Sequence, residues 1–127
     1  MRPRWLLLAS IILHASQASA ATCTDPLTTL FDRVSPAVVS IQAMKINKAK
    51  PQRRFETVVG SGVIIERDGQ VLTNAHVVDG AASLSVTLDS KEKAPARVLG
   101  LDPVLDLALL RLETSSPLTT ARLGDSG

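Results

Sequence analysis

The sequence predicts an all-β domain, an antiparallel six-stranded barrel with a short N-terminal helix, and three observations carry that expectation. From Phe55 onward, short β-branched runs follow one another at close spacing with no helical pattern between them. Asp68-Gly69 joins two of those runs as a tight hairpin turn. Ser83 to Leu88 alternates, with Leu84, Val86 and Leu88 on one face and Ser83, Ser85 and Thr87 on the other, the period of a half-buried strand. Short strands linked by turns favour a closed antiparallel barrel over a parallel sheet, which needs crossover helices.

Taken in chain order, residues 1–20 stand apart. Met1-Arg2-Pro3-Arg4 is a basic start, Trp5 to Leu13 is an apolar run too short to cross a bilayer, and Ala18-Ser19-Ala20 is a small-residue cleavage site. The pattern predicts a secretory signal cut after Ala20, hence export and no stable membrane span afterwards. Residues 21–36 are expected to form an N-terminal helical segment: Thr24-Asp25-Pro26 offers a cap and a proline first turn, and Leu27, Leu30, Phe31 and Val34 fall at helical spacing as far as Ser35-Pro36. Val38, Val39 and Ile41 open the first strand. Lys45 to Arg54 holds five basic residues, a proline and no acid, and reads as a solvated loop. Thr57 to Ile65, Val71 to Thr73, Ser83 to Leu88, Ala94 to Leu101 and Asp106 to Leu112 supply the remaining strands, with Asp89-Ser90-Lys91 and Asp102-Pro103 as turns. The barrel is expected over 37–123, with 124–127 beginning a linker.

Composition narrows the function classes. Of 14 Lys and Arg, Arg2 and Arg4 leave with the leader, and the rest balance the 12 Asp and Glu. A neutral mature chain that keeps only Phe31 and Phe55 as aromatics has neither the charge nor the stacking surface for nucleic acid. Cys23 is the single cysteine, so no internal disulfide is available and stability must come from packing. The residues before it lack the pattern of a lipoprotein signal.

The residues that carry chemistry are His76, in Thr73-Asn74-Ala75-His76-Val77-Val78, and Asp106, thirty positions later, in Asp106-Leu107-Ala108-Leu109-Leu110-Arg111-Leu112. A histidine accepts a proton from a hydroxyl near neutral pH when its other ring nitrogen is held by a fixed acceptor. Asp102 competes with Asp106 on proximity, but it precedes a proline that marks a turn. Gly60 and Gly62 are expected to serve the backbone, where a closing barrel needs tight corners and close approach.

Together with Gly60-Ser61-Gly62-Val63-Ile64-Ile65, these blocks occur in an order that resembles the first half of the trypsin-like serine endopeptidases, and among them the bacterial HtrA (DegP-like) periplasmic proteases. The resemblance runs from Phe31 to about Gly127 and includes Val34-Ser35-Pro36-Ala37-Val38-Val39-Ser40-Ile41. Val77 stands where disulfide-bridged animal relatives place a cysteine, which suits the bacterial branch. The resemblance implies the first barrel of a double-barrel fold, with His76 as general base, Asp106 as its orienting acid, and no metal or organic cofactor. It further implies a periplasmic endopeptidase acting on unfolded or damaged polypeptides, in which a full-length parent could form a homo-oligomer. The nucleophile, the oxyanion hole and the specificity pocket belong to a second barrel in such enzymes, so this chain is expected to be a partial one, inactive alone. Gly124-Asp125-Ser126-Gly127 imitates a nucleophile motif, but Ser126 lies only twenty residues after Asp106 and is read as linker. The alternative is a barrel kept as a non-catalytic binding module or protease remnant.

Overall fold

The computed structural model describes residues 25–50, 52 and 54–127; the expected signal at 1–20 and Cys23 lie outside the described residues. A helix α1 (Leu27–Val34) and one 3-10 turn (Ser35–Ala37) lead into β1 (Val38–Ile46), β2 (Phe55–Ile64) and β3 (Gln70–Thr73). A single helical turn α2 (Ala75–Val78) separates these from β4 (Ala81–Thr87), β5 (Lys93–Asp102) and β6 (Leu107–Leu112). The six strands close into a barrel in the order β1-β2-β3-β6-β5-β4, every neighbouring pair antiparallel.

Side-chain alternation drives the closure. Val39, Ile41 and Ala43 of β1, Leu84 and Val86 of β4, and Ala108, Leu110 and Leu112 of β6 all turn inward, and with Ile64, Val71, Val77 and Val78 they make one core. The strict alternation of Ser83 to Leu88 is realised with Leu84, Val86 and Leu88 buried. At the β2–β3 hairpin Gly69 takes φ 94°, a conformation open to glycine at little cost. Its carbonyl accepts the Leu112 N–H at 2.8 Å, tying the hairpin to the end of β6.

Four details depart from the sequence expectation. First, α2 stands between β3 and β4, where no helix was expected; one turn is too short to show a helical period. Second, Pro26 rather than a polar residue occupies the N-cap of α1, with no side-chain cap bond, while Asp25 pairs with Arg33 at 3.3 Å. Third, β1 runs on to Ile46, so Lys45 belongs to a strand, at the point where the β1–β4 register shifts. Fourth, β6 begins at Leu107, leaving Asp106 in the preceding turn.

Beyond β6 the chain is strapped to the barrel without forming a strand. Thr114 and Ser116 hydroxyls donate to the Glu92 carboxylate at 2.9 and 2.5 Å, Leu118 packs on the core, and the Ala121 N–H reaches the Ile64 carbonyl at 2.8 Å. Those two hydroxyls, Ser116 foremost, hold the Glu92 carboxyl below its ordinary range.

Gly60 and Gly62 are sites of close approach. A Cβ on Gly60 would stand 2.6 Å from a methyl of Val77; one on Gly62 would stand 2.7 Å from Val71 Cγ1 and 2.8 Å from Ile41 Cδ1. Gly62→Ala therefore overpacks the core, and we expect it to lower stability by about 1–3 kcal/mol in urea unfolding. An unchanged midpoint would mean the barrel yields at this corner.

Candidate active site

The antiparallel pairing of β3 with β6 aligns Thr73 with Ala108, so the end of one strand meets the start of the other. Two residues past Thr73 the chain makes α2, whose Ala75, Val77 and Val78 are buried. Val77 packs in the space left by Gly60. With three of the four residues of that turn anchored in the core, the fourth, His76, is directed outward, its side chain 69% exposed. The Thr73 hydroxyl donates to the Ser61 carbonyl at 2.7 Å and ties the same corner to β2.

Two residues before Ala108, Asp106 takes φ 53°, the left-handed region that aspartate enters more readily than most residues. Its carboxylate grips residue 76 twice. Oδ1 accepts the His76 main-chain N–H at 3.0 Å, and Oδ2 pairs with His76 Nδ1 at 2.7 Å. An ionised carboxylate can only accept, so Nδ1 must carry the proton and Nε2 of the neutral ring is an acceptor. Nε2 has no hydrogen-bond partner among the described residues. The His76 main-chain N–H and then the Nδ1 bond hold the Asp106 carboxyl below the ordinary aspartate range, partly opposed by desolvation.

The structure thus brings His76 and Asp106 together. Asp102 is engaged elsewhere: its Oδ1 accepts the N–H groups of Val104 and Leu105 at 2.9 and 3.0 Å, capping its own turn. Ser126 follows the Ile64 tether of Ala121, in a terminal turn where Asp125 accepts the Gly127 N–H at 3.0 Å. No hydrogen bond joins it to His76 among the described residues.

Two contacts at the pair escaped sequence reasoning. Asn74 donates its side-chain amide to Asp106, and the Lys45 ammonium donates to the His76 carbonyl at 2.9 Å. Lys45 was submerged in a run of charges, and only the register shift in β1 marks it out. Among the described residues no cluster of three or more His, Cys, Asp or Glu side chains is arranged to hold a metal ion, and no helix is long and apolar enough to cross a membrane.

Comparison with known proteins gives this geometry a context. Residues 60–127 match the trypsin-like peptidase domain. The chain is 30% identical to a probable periplasmic serine endoprotease, DegP-like, of Marinomonas sp. (strain MWYL1), over 95% of this chain and 33% of that protein. It is 36% identical to the mitochondrial serine protease HTRA2 of Bos taurus, over 94% of this chain and 26% of the relative. Against the magnetosome formation protease MamE of Paramagnetospirillum magneticum (strain ATCC 700264 / AMB-1) identity is 43%, over 61% of this chain and 11% of that protein. The chain spans a third or less of the length of these relatives.

The lowered Asp106 pKa fixes the sign of a pH effect. A carboxyl whose pKa falls on folding stabilises the fold above its unfolded-state pKa, and that contribution is lost as pH falls through the folded-state value. Asp106→Asn should therefore be less stable than the parent at neutral pH, with the gap closing as pH drops below the ordinary aspartate range. Equilibrium unfolding at a series of pH values measures it; a gap independent of pH would mean that Asp106 gains nothing from ionisation.

Proposed function

The chain belongs to the trypsin-like peptidase family, and from that premise we propose that it is the histidine- and aspartate-bearing part of an HtrA-like serine endopeptidase. The observation that carries this reading is the double grip of Asp106 on His76, at 3.0 Å through the main chain and 2.7 Å through the ring. His76 Nε2 is the general base: it takes the proton of a serine hydroxyl as that oxygen attacks the scissile carbonyl, then returns it to the leaving amine. Asp106 holds the imidazole in the required tautomer and stabilises the imidazolium formed in between.

The serine and the oxyanion-hole donors are supplied from outside these residues. The turn that carries Asp106 is open to a second unit, since Val104 is 92% and Leu105 67% exposed. Without a nucleophile no acyl intermediate forms, and without preorganised donors the largest electrostatic contribution to acyl transfer is missing. The substrates of the complete enzyme are unfolded or damaged polypeptides. Its location is the periplasm, reached through the leader of residues 1–20 and supported by the name of the Marinomonas relative.

A fluorophosphonate reagent, which labels activated serines, tests the assignment. The chain alone should stay unlabelled and leave casein intact; joining a relative's second barrel after Leu123 should restore both signals. In that chimera His76→Ala should abolish labelling, and Asp106→Asn should slow turnover by about four orders of magnitude while leaving the fold in place. Labelling of the unmodified chain that disappears in Ser126→Ala would instead make Ser126 the nucleophile. Export is tested separately by intact-mass analysis of secreted protein, where the expected N-terminus is Ala21; a product still carrying Trp5 would contradict it.

A further inference from the structure

Asn74 stands at the N-cap of α2 with extended backbone, φ −83° and ψ 143°. An asparagine in that place ordinarily turns its side-chain oxygen onto a free N–H of the first turn. Asn74 makes no such bond. Its amide reaches the other way: Nδ2 donates to the Asp106 carbonyl at 3.1 Å and to Asp106 Oδ2 at 3.3 Å.

Both acceptors bear on the orientation of the same carboxylate. The carbonyl belongs to a residue held at φ 53°, a conformation that persists in a non-glycine residue when its surroundings fix it. Oδ2 is the oxygen that receives the His76 Nδ1 proton at 2.7 Å, and an ionised carboxylate oxygen has lone pairs enough for two donors. A single donor bridging the main-chain oxygen and the side-chain oxygen of one residue also restricts the torsions between them. We infer that Asn74 is a positioning residue, its side-chain amide holding Asp106 in the left-handed turn with Oδ2 directed at the His76 ring. The inference rests on the catalytic reading of that pair. Asn74 acts through Asp106 and touches no reacting atom.

A plain capping role makes different predictions. Aspartate and serine are both good N-cap residues, but aspartate has no N–H to donate and the serine hydroxyl is too short to span both acceptors. Asn74→Asp and Asn74→Ser, made in the full chain, keep a good cap and should therefore still fold, with some stability lost at neutral pH as the Asp106 pKa rises. In both, the Asp106 side-chain carboxyl carbon, followed by NMR against pH, should titrate at higher pH than in the parent. The rise should be larger in Asn74→Asp, where a second carboxylate faces the first. In the unmodified chain the Asn74 side-chain amide protons should exchange with water more slowly than those of an exposed asparagine. An Asp106 titration unchanged in both variants would overturn the inference. If neither variant folds, the exchange measurement decides: free exchange overturns the proposal and protection supports it. None of these readouts needs a serine, so a chimera that never labels would count against the catalytic reading alone. In an active chimera, Asn74→Ser should lower kcat and leave KM near the parent value; a rise in KM with kcat intact would place Asn74 in substrate binding instead.

Discussion

The site depends on one pairing, that of β3 with β6. Strands far apart in sequence meet there because closing the barrel leaves β3 no other partner on that side, and Thr73 then lies opposite Ala108. From that register the chain needs only one turn beyond β3 and one turn before β6 to set an imidazole against a carboxylate. The same barrel supplies the anchor: Val77 and Val78 are buried, so α2 cannot rotate His76 away without opening the core. Gly60 leaves room for Val77, which links a glycine in β2 to the placement of a side chain on α2.

Around this pair the polar contacts converge on two residues. Asp106 receives the main-chain N–H and ring of His76 together with the amide of Asn74, and the His76 carbonyl receives Lys45 from β1. These contacts lie at the surface, where an isolated ion pair contributes little to stability. Their value is geometric. They fix which ring nitrogen carries the proton and leave the other without a hydrogen-bond partner among the described residues. A proton acceptor held in one tautomer is what the proposed serine-type chemistry requires.

Much of the barrel was legible because alternation and turn chemistry are local. Leu84, Val86 and Leu88 declare their face by period alone, and Asp68-Gly69 declares its turn by composition. His76 and Asp106 could be picked out by the order of their surrounding blocks, yet neither is distinctive alone. What stayed hidden depends on contacts between residues distant in sequence. Asn74 reaches a residue 32 positions away, and Lys45 one 31 positions away, so nothing beside them in the chain marks their partners. The helix α2 is one turn, shorter than any period, and the left-handed φ of Asp106 sits in the β5–β6 turn, where aspartate is tolerated but not required.

The β3–β6 pairing delivers a histidine whose Nδ1 is bonded to Asp106 and whose Nε2 is free to accept a proton. The most direct measurement is the nitrogen-15 NMR spectrum of the His76 ring at a pH where it is neutral, which identifies the protonated nitrogen. The expected result is the proton on Nδ1, shared with Asp106, and an unprotonated Nε2. A neutral ring carrying its proton on Nε2 would contradict it, since that imidazole could neither donate to Asp106 nor take a proton from a serine.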